Sequence, residues 1–114
     1  MVHMPKNPPD SICSGLRQRL NARARERWPE LTRVEVRYRG GFAYVDAVLP
    51  DGEIRKLCRL RFGGILHTWG FALYVAGDES YQENTLPGGL PAGSPEEALD
   101  CAGDLYLNAL APAI

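Results

Sequence analysis

The chain has little of what a metal centre or a covalent catalyst is built from. Of its 114 residues only two are histidine, His3 and His67, and only three are cysteine, Cys13, Cys58 and Cys101. None of the five stands at ligand spacing, so no zinc site is expected, since zinc needs clustered thiolate or imidazole ligands. An odd number of widely separated cysteines fits reduced thiols and not a disulfide framework. A serine or cysteine nucleophile needs an adjacent base, and His67 is the one histidine beyond the N-terminal segment. Asp46, Asp51, Asp78 and Glu79 could in principle move protons, but carboxylates in turns are ordinarily turn formers. The phosphate-cradling pattern G-x-x-x-x-G-K is absent, and the glycines fall at turns. No apolar run approaches the ~20 residues that span a bilayer, and Met1-Val2-His3-Met4-Pro5-Lys6 is not followed by the hydrophobic stretch of a signal peptide. These absences point to a cytoplasmic protein, not an enzyme, with no cofactor, no metal and no membrane partner.

The length suits a single domain, expected over residues 10–111 behind a proline-containing leader at 1–9. The C-terminal half lacks cations altogether. All 13 Lys and Arg lie in residues 1–63, and residues 64–114 hold acids alone, so a net charge of −1 conceals a basic half and an acidic half. Such a split arises when the halves neutralise each other within one body, or when the basic half meets a partner, commonly nucleic acid.

A helix is expected from Asp10 or Ser11, either able to cap free N–H groups. Ile12, Leu16, Leu20 and Ala24 recur every four residues as its apolar stripe. Pro29 ends it, because a residue before proline is driven out of the α region. Val34, Val36 and Tyr38 then alternate with Arg33, Glu35, Arg37 and Arg39, as in a half-buried strand. Gly40-Gly41 suits a two-residue hairpin turn, the strand Phe42–Leu49 pairs back, and Pro50-Asp51-Gly52-Glu53 turns into a third strand, Ile54–Phe62. Residues 65–68 are expected as loop, followed by a strand Trp69–Ala76 and a short strand Tyr81–Leu86. Ser94-Pro95-Glu96-Glu97 is a capping box opening a helix, with Ala98, Leu99, Ala102, Leu105, Tyr106 and Ala109 apolar and Pro112 the stop. The predicted fold is α+β: a helix, an antiparallel meander of four to five strands, and a helix, both helices on one face.

With two-residue loops at both hairpins the register follows, and with it the faces. One face holds the rows Tyr38/Ala43/Leu60, Val36/Val45/Cys58 and Val34/Ala47/Lys56, a small apolar surface for the helices. The other holds Arg39/Phe42/Arg61, Arg37/Tyr44/Arg59, Glu35/Asp46/Leu57 and Arg33/Val48/Arg55. Arg37, Arg39, Phe42, Tyr44, Arg59 and Arg61 are the candidate binding residues, since rings on an open sheet can stack bases and guanidiniums can take phosphate. The same surface could receive a protein partner, including the acidic segment of a second subunit, or could be no more than arginine stems lying over exposed rings.

Leu86-Pro87-Gly88-Gly89, then Gly93-Ser94-Pro95-Glu96-Glu97-Ala98-Leu99, then Tyr106-Leu107 resemble part of the HicB-type antitoxin pattern. That resemblance covers about 40 residues, from Phe71 to Leu110, and implies binding and occlusion of a small RNA-cleaving toxin. The whole chain also resembles short uncharacterised bacterial proteins of GC-rich actinobacteria, which implies no activity. The function expected is that of a small homodimeric interaction module, with nucleic-acid binding or antitoxin-like partner binding as alternatives.

Overall fold

The alternation through residues 33–62 is the frame on which the fold is built. The computed structural model describes residues 9–75, 77–83, 86, 89–90 and 92–107. Helix α1 (Asp10–Arg27) is followed by strands β1 (Arg33–Arg39), β2 (Phe42–Val48), β3 (Ile54–Ile65), β4 (Thr68–Val75), β5 (Ser80–Glu83) and β6 (Ala92–Gly93), then by helix α2 (Pro95–Tyr106). The strands form one antiparallel sheet in chain order from β1 to β5, and β6 extends the β5 edge by pairing with Trp69 and Gly70 of β4. Both helices pack on the same face, α1 against β1 and α2 against β3 and β4. The architecture is α+β, as the sequence predicts. No helix among the described residues is long and apolar enough to cross a membrane. The leader up to Pro8, the loop residues Pro87, Gly88 and Pro91, and the expected helix residue Ala109 and stop Pro112 lie outside the described residues.

Leu16, Leu20 and Ala24 are buried and Ile12 packs at the margin, so the stripe of α1 is the core stripe. The expected cap is not formed: Pro9, with φ −58° and ψ 157°, takes the capping position, and Asp10 is the first helical residue without a side-chain cap bond. Its carboxylate still sits at the positive end of the helix dipole. Trp28, held at φ −134° before Pro29, ends the helix where the sequence places its end. The capping box of α2 is complete: Glu97 N–H donates to Ser94 Oγ, and Ser94 N–H donates to Glu97 Oε1.

The first hairpin has the expected register, Arg39 opposite Phe42, with Gly40 at φ +61°. The second does not have a two-residue loop. Leu49 N–H donates to Glu53 O and Gly52 N–H to Leu49 O, enclosing Pro50-Asp51-Gly52 with Gly52 at φ +91°. This is the three-residue turn with a left-handed last residue. Near the turn the register is therefore one residue off, with Val48 opposite Ile54, Ala47 opposite Arg55 and Asp46 opposite Lys56. A bulge at Leu57 takes up the extra residue, and from Val45 opposite Cys58 onward the rows are those expected.

The two irregularities cancel, so only residues 54–57 change places. Arg55 turns to the helix face, where its Nη1 donates to Tyr106 O at the end of α2. Lys56 takes the place on the open face assigned to Leu57, and Leu57 is fully buried in the core.

The segment 65–68 is a correction as well. β3 continues to Ile65 and β4 begins at Thr68, joined at Leu66-His67, because a glycine bulge carries the strand onward. Gly64 has φ +100°, and a Cβ at Gly63 would meet Thr68 O at 2.9 Å, so neither position suits a side chain.

The division of charge is in large part internal. Arg19 pairs with Glu96, Arg23 with Asp100, and Arg27 with Asp104 and Asp100. The first three partnerships share one sequence offset of 77, which requires the helices to run parallel, with four-residue steps matched along both.

Candidate functional site

The face opposite the helices carries no other element among the described residues, and it gathers the aromatic side chains of the meander. Phe42 and Tyr44 have ring centroids 6.4 Å apart, Tyr44 and Tyr81 5.1 Å, and Tyr81 and Tyr74 5.1 Å, the last two meeting edge to face. Cations lie on this ladder. The Arg59 guanidinium is 4.5 Å from the Phe42 centroid, that of Arg37 5.5 Å from Tyr44, and Lys56 Nζ 5.3 Å from Tyr74. Each such contact is worth about 0.5–1 kcal/mol at an exposed site.

All six candidate residues stand on this face. Arg39/Phe42/Arg61 and Arg37/Tyr44/Arg59 are neighbours across β1, β2 and β3. Beside them the structure brings Lys56, Tyr74 and Tyr81, which were not singled out from the sequence. Tyr74 is separated from the arginine strands by the glycine bulge, and Tyr81 enters through the pairing of β5 with β4, opposite Tyr74. The period-two alternation of residues 69–75 does place Tyr74 opposite Phe71 and Leu73, and that was the signal available.

Beneath the rings lies a buried carboxylate. Asp46 is 4% exposed. Its Oδ2 accepts from Arg37 Nε at 3.1 Å, and Arg33 Nη2 binds Glu35 at 2.6 Å. These two arginines relieve the like-charge row of Glu35 and Asp46. The bond to Asp46 is the main reason the Arg37 guanidinium holds its proton more tightly than usual. Asp46 Oδ1 is buried with no hydrogen-bond partner among the described residues. Burial, and then the Asp46 charge, push the Tyr81 hydroxyl above its ordinary pKa.

Toward the other end of the strands the face dips. A hollow of about 230 Å³ is lined by Phe42, Arg59, Arg61, Gly70, Ala72 and Glu83. Its floor is low because β4 offers only Gly70 and Ala72 there, and a Cβ at Gly70 would already touch the Arg61 Cβ at 3.3 Å. Arg39, Arg59 and Arg61 have no carboxylate partner among the described residues. The surface thus offers planar hydrocarbon, unneutralised guanidinium and a side-chain-sized recess.

The cysteines contribute nothing to this face. Cys58 is fully buried on the helix side, and burial raises its thiol pKa far above the ordinary value. Burial also raises that of Cys101 on α2.

No family model, no curated protein and no solved structure matches this chain.

Proposed function

We propose that the protein is a non-catalytic interaction module that docks an acidic partner protein on the uncovered Arg–aromatic face. One observation carries this: Arg19, Arg23 and Arg27 of α1 are matched to acids of α2, whereas Arg39, Arg59 and Arg61 make no ion pair among the described residues and stand beside rings and a recess whose one lining acid, Glu83, does not bind them. Enriched aromatic and arginine side chains around a pocket are the usual anchors of a protein interface. The acids of α2 are engaged within the chain, so they are not what a second subunit would bring to this face. The test is a tagged chain recovered from its native host. A defined partner should be retained by the variant Arg17→Glu/Arg25→Glu and lost by Arg59→Glu/Arg61→Glu. A partner held equally by both variants would remove the proposal.

Single-stranded nucleic acid is the second possibility, favoured by the same three guanidiniums. It ranks lower because Phe42, Tyr44 and Tyr74 already carry the chain's own cations, which a stacking base would have to displace. It predicts binding of a labelled oligonucleotide that weakens steeply with salt, with a log–log slope near −0.7 per phosphate contact. Absence of binding at low salt would dismiss it.

A further inference from the structure

The edge of the sheet at β1 is a separate feature from its open face. β1 pairs only with β2 among the described residues, so one side of its backbone faces outward. Which residues face outward is fixed by Asn21 of α1. Its Oδ1 accepts from Val34 N–H at 2.8 Å, and its Nδ2 donates to Val34 O at 3.0 Å. An amide side chain is here making the two bonds that a neighbouring strand would make. Outward-facing residues alternate along an antiparallel edge, so Val36 and Tyr38 present the next N–H and C=O groups.

Beside this edge runs a groove of about 630 Å³ between α1 and β1, with Arg17, Asn21, Arg25, Arg33, Val36 and Arg37 among its walls. Arg17 and Arg25 lie on the helix side of the edge and have no carboxylate partner among the described residues. Arg33, Arg37 and Arg39 lie on its other side, Arg33 paired with Glu35 of the groove wall and Arg37 with Asp46, so that Arg39 supplies the charge there that has no carboxylate partner among the described residues. Natural edge strands that must stay unpaired are blunted by charge, and charge of one sign repels only strands of that sign.

We propose that this edge is a strand-addition site for an extended acidic peptide segment, which pairs with Val36 and Tyr38 and runs between the two rows of arginines. Asn21 sets where pairing stops, because it already occupies the Val34 rung. A second copy of β1 is a poorer occupant than an acidic strand, since it carries three arginines, Arg33, Arg37 and Arg39, against one acid, Glu35. Main-chain bonds then supply affinity and the flanking arginines supply the choice of sequence, as in other cases of strand addition. This surface shares Arg37 and Arg39 with the open-face site, whereas Arg17 and Arg25 belong to it alone.

The probe is a seven-residue peptide alternating Glu and Val, compared with its Lys–Val counterpart and with a version N-methylated on alternate residues. Titration into the isotopically labelled chain should shift amides between Glu35 and Arg39 and protect those of Val36 and Tyr38 from exchange. Affinity should fall by about tenfold or more for the Lys peptide, and similarly in Arg17→Glu/Arg25→Glu, which corresponds to about 1.4 kcal/mol. N-methylation should abolish binding. Urea midpoints confirm that the variant is folded, and Arg17→Lys/Arg25→Lys should bind the Glu peptide. The proposal is overturned if no shift occurs at millimolar peptide, if N-methylation is without effect, or if the edge is already protected in a dimer of the chain alone.

Discussion

Replacing Gly103 by alanine sets two effects of known size against each other. Gly103 lies inside α2 and faces the indole of Trp28, which is 2% exposed. By helix propensity alone, alanine should stabilise the chain by about 1 kcal/mol. A Cβ at this position, however, would stand 2.5 Å from Trp28 Cζ2 and 2.8 Å from Cζ3. Carbon atoms pack without repulsion at about 3.5–4 Å, so the ring or the helix must move by about 1 Å. Trp28 has little room to do so, with the Arg27 guanidinium 4.7 Å from its ring and the core behind it. Overpacking of a tight core costs about 1–3 kcal/mol, which outweighs or cancels the propensity gain. The expected net loss is about 1 kcal/mol. Urea unfolding followed by circular dichroism reads this as a fall in midpoint of roughly 0.5–1 M at an unchanged slope. Trp28→Phe removes the atoms that clash, so Gly103→Ala on that background should raise the midpoint instead. A higher midpoint for Gly103→Ala in the native background would refute the packing between the two elements.

Three further outcomes are expected. Burial works to raise the Glu96 carboxyl pKa, but the Arg19 hydrogen bonds, the backbone bond and the nearby Arg charges outweigh it, and the pKa lies below the usual value. A lowered folded pKa contributes stability above about pH 4.5 that is lost as pH falls through the folded value, so Glu96→Gln should lower stability at pH 7 and make no difference near pH 2 by urea titration. Arg55→Ala removes the donor to Tyr106 O and should shorten hydrogen-exchange protection in the last turn of α2, at a cost of about 1–2 kcal/mol. Cys58 should react with an aromatic disulfide reagent only at the rate of unfolding, whereas a fast first-order reaction in native buffer would contradict its burial.

The strands of the meander and the core stripe of α1 are legible in the sequence because alternation and four-residue spacing are local signals. The open face is legible for the same reason, but its register was right through a cancellation. Pro50-Asp51-Gly52 makes a three-residue turn, and Leu57 bulges out of register to restore it. Neither is marked by composition, because Asp-Gly serves both loop lengths and any residue can bulge. The cost of missing them was confined to residues 54–57. Gly63-Gly64 was readable as a break, but glycine permits a bulge within a strand as readily as a loop. The match of Arg19, Arg23 and Arg27 to Glu96, Asp100 and Asp104 could be seen as two charged rows at four-residue steps. Their parallel alignment is a tertiary fact, set by how many strands return the chain before α2 begins.

The docking role of the open face is tested most directly by a photo-reactive phenylalanine analogue at position 42, with a control at the exposed Ser14 on α1. Irradiation in the native host should give one discrete protein adduct from position 42, none from position 14, and none from position 42 when Arg59 and Arg61 are both glutamate. Equal labelling from both positions, or none from position 42, would contradict it; so would an adduct that nuclease treatment removes.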